Sequence, residues 1–200
     1  MKLIVISKEK VFDGEPLWIN ALMEKYDFIF HLRKPGSTEK EMEELILQIN
    51  SNFHNRIVLH DHFTLAAKYS LKGVHLNSRN PQANMEGEYW SHCSISRSCH
   101  TLKEVEEYKG LCNYVTLSPV FNSISKTGYN AGFSYDTLKE ASEKGILDNK
   151  VVALGGITSS NITTTIDLGF GGAAVLGTIW NQATLEDAIM ELESLIQKMK

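Results

Sequence analysis

VVALGGITSSNITTTIDLGFGGAAVLGTIW, residues 151–180, is the stretch whose reading decides the fold. Two short apolar runs, Lys150–Leu154 and Gly172–Leu176, run into glycine turns and are joined by a stretch of helical length, Asn161–Leu168. An apolar strand, a crossover helix and a second apolar strand make the unit of a parallel sheet, because parallel neighbours need a long connection between them. Strands apolar at nearly every position are buried on both faces, so helices must cover the sheet.

Outward from this unit the alternation continues to both ends. Strand candidates are Leu3–Ser7, Phe28–Arg33, Arg56–His60, Gly73–Leu76, His92–Ser96 and Asn113–Leu117. Helical stretches are Trp18–Lys25, Glu39–Asn50, Phe63–Tyr69, Leu102–Lys109, Tyr135–Lys144 and Leu185–Met199. In the last, Leu185, Ala188, Ile189, Leu192, Leu195, Ile196 and Met199 share one face at three- and four-residue spacing. The run NSRNPQANMEGEYW, residues 77–90, carries no convincing helix and predicts an irregular crossover after strand four. About eight strands and as many helices predict an α/β chain folded as a small (β/α)8 TIM barrel, with a doubly wound open sheet as the structural alternative.

Composition bounds the setting. A chain of 200 residues that is 42% hydrophobic can bury one good core, so a single domain over residues 1–200 is expected. With 20 basic and 24 acidic side chains the formal charge is -4, which draws neither nucleic acid nor an anionic membrane surface. Three cysteines without CxxC spacing argue against a disulfide framework and a structural zinc, and for a reducing cytoplasm. No stretch approaches about 18 uninterrupted apolar residues, so no membrane span is expected.

In a barrel of this kind chemistry belongs at the C-terminal ends of the strands. Those ends carry His31, Arg33 and Lys34; His60, Asp61 and His62; His75, Asn77 and Asn80; Ser98, Cys99 and His100; Ser118, Ser123, Ser125 and Lys126; Gly155 and Gly156; and Gly177. A lone Gly-Gly is equally a tight turn, but glycine turns after the seventh and eighth strands together make a phosphate cup, where backbone N–H groups approach the anion. Lys126 with Ser123 and Ser125 reads either as an anion clamp or as an ordinary polar loop. Arg33 suits bidentate grip of phosphate or carboxylate. In His60-Asp61-His62 neighbouring side chains of an extended chain diverge, so three adjacent ligands cannot share one zinc; a magnesium held through Asp61 is the better metal reading. Cys99 and His100 diverge likewise, which leaves His100 alone as the general acid–base candidate.

The ordered segments LHDHFTLAAKYSLKGVHL, SISRSCHTLKE, NYVTLSPVFNSISKTGYNAGFS, VVALGGITSSN and GGAAVLGTI resemble the thiamine phosphate synthase and thiazole tautomerase family, from about Leu3 to Ile179. The resemblance implies a (β/α)8 barrel of thiamine biosynthesis. Synthases of the family couple a hydroxymethylpyrimidine diphosphate to a thiazole phosphate with magnesium, whereas tautomerases move a proton on a thiazole carboxylate phosphate without a metal. It further implies that Gly155, Gly156, Leu176 and Gly177 hold the thiazole phosphate, that Arg33, Ser123, Ser125 and Lys126 match the pyrophosphate-gripping positions, and that Ser98 and His100 belong to the S-x-H-T motif, whose histidine is the tautomerase acid–base. It admits a homodimer.

Two departures separate the branches. Where synthases read Q-x-R-x-K, this chain has His31-Leu32-Arg33-Lys34-Pro35, and where they keep two magnesium acids it has Asp61 and Asn80. One acid and one cation short, the site favours proton transfer by His100 with Lys126 over magnesium-assisted ionisation. His31, His60 and His75 are then expected to bind the thiazole carboxylate as protonated imidazoles. A synthase requiring magnesium, and a non-catalytic binder of a phosphorylated thiamine precursor, are the alternatives.

Overall fold

The computed structural model describes residues 1–82, 87–122 and 132–200. Eight parallel strands close into a barrel in chain order: β1 (Lys2–Ile6), β2 (Ile29–Leu32), β3 (Ile57–Leu59), β4 (Gly73–Leu76), β5 (Ser94–Cys99), β6 (Tyr114–Leu117), β7 (Val151–Leu154) and β8 (Gly172–Val175). The (β/α)8 expectation therefore holds and the open sheet does not. Helices α1 (Glu15–Lys25), α2 (Glu39–Gln48), α3 (Thr64–Lys68), α4 (Glu88–His92), α5 (Leu102–Tyr108), α6 (Tyr135–Glu143), α7 (Ile162–Asp167), α8 (Gly177–Trp180) and α9 (Leu185–Lys198) alternate with them.

Two compact units divide the chain, residues 6–96 and residues 1–5 with 97–200. In the first, β2 pairs β3 and β3 pairs β4, with His31 in register with Val58 and Leu59 with Val74. Its α2 begins at a reciprocal cap: the Thr38 hydroxyl accepts from the Glu41 amide while Glu41 returns to the Thr38 amide. In the second, β1 pairs β8 and β7 pairs both β6 and β8. Gly172 starts β8 because a Cβ there would stand 2.7 Å from the Lys2 carbonyl oxygen. The α9 stripe buries Ala188, Leu192 and Leu195, each leucine contributing about 1.5–3 kcal/mol.

Three elements depart from expectation. The crossover after β4 contains the one-turn helix α4, and His92 closes that helix instead of opening β5. A 3-10 helix, Ser51–Arg56, precedes β3. After β8 the chain turns at once into α8, four residues too short to register as periodicity.

Candidate active site

In the second unit the glycine turn after β7 is shaped by left-handed backbone that L side chains rarely adopt. Gly155 and Gly156 have φ of 102° and 65°. A Cβ on Gly156 would lie 2.1 Å from the Asn122 carbonyl oxygen, so the loops after β7 and β6 touch main chain to main chain. Asn161 closes the turn, accepting from the Thr158 amide at 2.9 Å and donating to the Gly156 carbonyl at 2.9 Å. Thr178, in α8, donates its hydroxyl to the Ile157 carbonyl and ties the loop after β8 to the loop after β7. Leu176 and Gly177 thus lead into a one-turn helix tied to the glycine turn after β7. Asn161 and Thr178 escaped sequence reasoning, since a polar residue in a Thr/Ser/Asn loop carries no distinguishing signal.

His100 follows β5 in the same unit and is exposed. Its Nδ1 lies 3.2 Å from the Ser118 carbonyl oxygen and 3.3 Å from the Ser118 hydroxyl. Ser118 therefore holds the ring from its Nδ1 side, through a carbonyl that accepts and a hydroxyl that can do either. The Glu104 carboxylate accepts from the His100 amide at 2.6 Å and from the Thr101 amide at 3.0 Å, fixing the residue at the start of α5. Those bonds, the one from His100 foremost, hold the Glu104 carboxyl below its usual range. Cys99 is fully buried, and burial first and Glu104 second push its thiol up to about 12, so no thiolate is present at neutral pH. Ser98 lies within β5. Ser123, Ser125 and Lys126 lie outside the described residues.

The first unit distributes its charges differently. Arg33 Nη1 pairs with Glu9 Oε1 at 2.8 Å, and its backbone is held by Ser7, whose Oγ accepts from the Arg33 amide at 2.8 Å. Lys34 is buried, with Nζ at 2.6 and 2.7 Å from the two Glu15 oxygens and 2.8 Å from the Lys8 carbonyl oxygen. It is a structural cation and does not replace the missing clamp at Pro35.

Asp61 is occupied in the same way. The Asn80 amide nitrogen donates to Asp61 Oδ1 at 2.7 Å and to the His60 carbonyl at 3.0 Å, and Arg79 lies 3.4 Å from both Asp61 oxygens. Because Nδ2 serves both acceptors, the Asn80 amide nitrogen faces Asp61, against the expectation that its carbonyl oxygen would help hold magnesium. A hard dication needs several oxygen ligands, and here one carboxylate meets an amide donor and a guanidinium. Among the described residues this donor set does not fit magnesium.

His31, His60 and His75 come together in the first unit. All three are buried, with ring centroids 4.3 to 5.1 Å apart and His31 Nδ1 2.9 Å from His60 Nε2. Burial holds His31 and His60 well below the usual imidazole range, with the His75 ring adding to the effect. That direction favours neutral rings at His31 and His60 over the protonated imidazoles expected to bind a carboxylate. His62 stands apart, its Nε2 2.7 Å from the Ser37 carbonyl oxygen.

Fold and strand-end residues define the class: a closed (β/α)8 barrel with polar groups at the C-terminal ends of its strands. Residues 3–179 match the thiamine monophosphate synthase family. A solved structure described as thiamine phosphate pyrophosphorylase from Bacteroides thetaiotaomicron is 36% identical, covers 100% of this chain and 98% of its own, and superposes with a TM-score of 0.87. Thiamine-phosphate synthase from Photorhabdus laumondii is 26% identical over 84% of this chain and 82% of its own. A thiamine phosphate pyrophosphorylase from Pyrococcus furiosus, at 19% identity and a TM-score of 0.78, shares the fold. The chain belongs to the thiamine monophosphate synthase family, an enzyme family of thiamine biosynthesis. No helix among the described residues is long and apolar enough to cross a membrane.

Proposed function

We propose that the protein is a thiazole tautomerase, an isomerase that moves a proton on a thiazole carboxylate phosphate. The observation that carries this reading is the placement of His100 just after β5 with its Nδ1 held at Ser118, so that in this reading Nε2 serves as the base. The phosphate is assigned to the turns at Gly155, Gly156, Leu176 and Gly177, where backbone N–H groups hold an anion without any titrating partner. His100 Nε2 takes the proton from the ring carbon and returns it to the position that completes aromaticity. The Ser118 carbonyl steadies the imidazolium formed in between. Ser98 and Lys126 are assigned to the same substrate by their match to the family motifs. His100, Ser118 and the glycine turns all lie in residues 97–200, and the reaction calls on no metal.

The second reading is a thiamine-phosphate synthase, favoured by the names of the relatives. It asks for magnesium, and the Asp61 surroundings count against it. One experiment separates them. Purified protein receives the non-aromatic thiazole carboxylate phosphate without metal and, in parallel, thiazole phosphate with hydroxymethylpyrimidine diphosphate and magnesium. Aromatisation in the first arm, lost in His100→Gln, is the expected result. Thiamine phosphate formed at an enzymatic rate in the second arm would sink the tautomerase assignment, and turnover in neither would leave a binding protein.

A further inference from the structure

We propose that His31, His60 and His75 form a three-imidazole site for a late first-row transition-metal dication, zinc or cobalt in kind. The inference is independent of which reaction the protein catalyses. It starts from an arrangement no stretch of sequence displays: three adjacent parallel strands each deliver one histidine from the C-terminal half of the strand or the residue after it. One ligand-capable atom from each ring lies within 4.8 Å of the other two, and the residues are 0%, 4% and 2% exposed. Two imidazole nitrogens sharing a tetrahedral zinc at about 2.0–2.1 Å stand about 3.3 Å apart. His31 Nδ1 and His60 Nε2, at 2.9 Å, need only a small separation to reach that spacing.

The surrounding bonds prepare the ligands. Ser96 Oγ lies 2.8 Å from His75 Nδ1 and 3.3 Å from the Val74 carbonyl oxygen, so the hydroxyl fixes the ring from its Nδ1 side. A hydroxyl behind a histidine is a usual support of a metal ligand. Between His31 and His60 one ring donates and the other accepts. On binding, the donor ring moves its proton to its other nitrogen, so each imidazole stays neutral and no proton is lost overall. Imidazole ligands select zinc, cobalt or copper over magnesium, and three of them leave a fourth position open to water or a small molecule.

The test uses the untagged full-length protein, stripped with a chelator and titrated with cobalt(II) alone. We expect one equivalent per chain, the visible absorption of a tetrahedral cobalt centre, and its displacement by zinc. Ser96→Ala should weaken binding about 10–100-fold by removing the support of His75. His60→Gln and His75→Gln should weaken it further, while His92→Gln, on α4, should leave it unchanged. Should a histidine variant fail to fold, the wild-type spectrum and Ser96→Ala still decide. A wild type that takes up no cobalt or zinc at micromolar metal, or one matched in affinity by folded Ser96→Ala and His75→Gln, overturns the site and makes the trio a hydrogen-bonded core.

Discussion

Histidines at strand ends meet opposite fates in the two units. His31, His60 and His75 are sealed in residues 6–96 and packed ring against ring, while His100 in residues 97–200 is exposed, with Nδ1 beside the carbonyl and hydroxyl of Ser118 and its amide donating to the Glu104 carboxylate. Residue type and strand-end position are shared; solvent access and the partner of Nδ1 differ. Burial works against charge on His31 and His60, whereas Ser118 holds the exposed His100 ring from its Nδ1 side. Lys34 is spent inside the first unit, on Glu15.

The comparison predicts that changes in the first unit strike stability and changes in the second strike turnover. The largest expected effect is Glu15→Ala, which leaves Lys34 buried without its carboxylate and should cost about 3–5 kcal/mol in urea unfolding. A near-neutral result would mean Lys34 reaches water and could serve as a clamp. Comparable in size is His100→Gln, expected to lower kcat for thiazole tautomerisation about 10²–10⁴-fold with the melting temperature unchanged. An undiminished rate would remove His100 from the chemistry. Gly156→Ala should come next, adding left-handed strain and a collision with the Asn122 carbonyl worth about 1–3 kcal/mol and raising KM for the phosphorylated substrate. A KM equal to wild type would place the phosphate elsewhere.

Smallest is the pH dependence of Glu104. Its folded carboxyl sits below the unfolded value of about 4.3, so its contribution is present above that pH and lost as pH falls through the folded value. The stability gap between wild type and Glu104→Gln should therefore narrow with acidification across that window. A gap constant with pH would detach Glu104 from the His100 amide.

Much of the site's outline could be read from the chain because it rests on local chemistry. Strand-length apolar runs ending in polar residues located His31, Asp61, His75, His100 and the glycine turns, and Asn80 in place of an acid already pointed away from magnesium. The partners were illegible. Ser118 is 18 residues from His100, Glu15 is 19 from Lys34 and Ser96 is 21 from His75, separations over which sequence carries no signal of contact. Residues 77–90 hid a one-turn helix because five residues span too little of a helical period to be recognised.

Sequence by itself determined the barrel, the glycine turn after its seventh strand and the family, because alternating apolar periods and turn residues act over a few positions at a time. Tertiary structure alone decided that Lys34 and Asp61 are already engaged, that His100 Nδ1 lies against Ser118, and that three histidines 15 to 44 residues apart in the chain meet in one buried cluster. Protonation, tautomer and ligand sets depend on burial and on distances across strands, and only the closed sheet sets those.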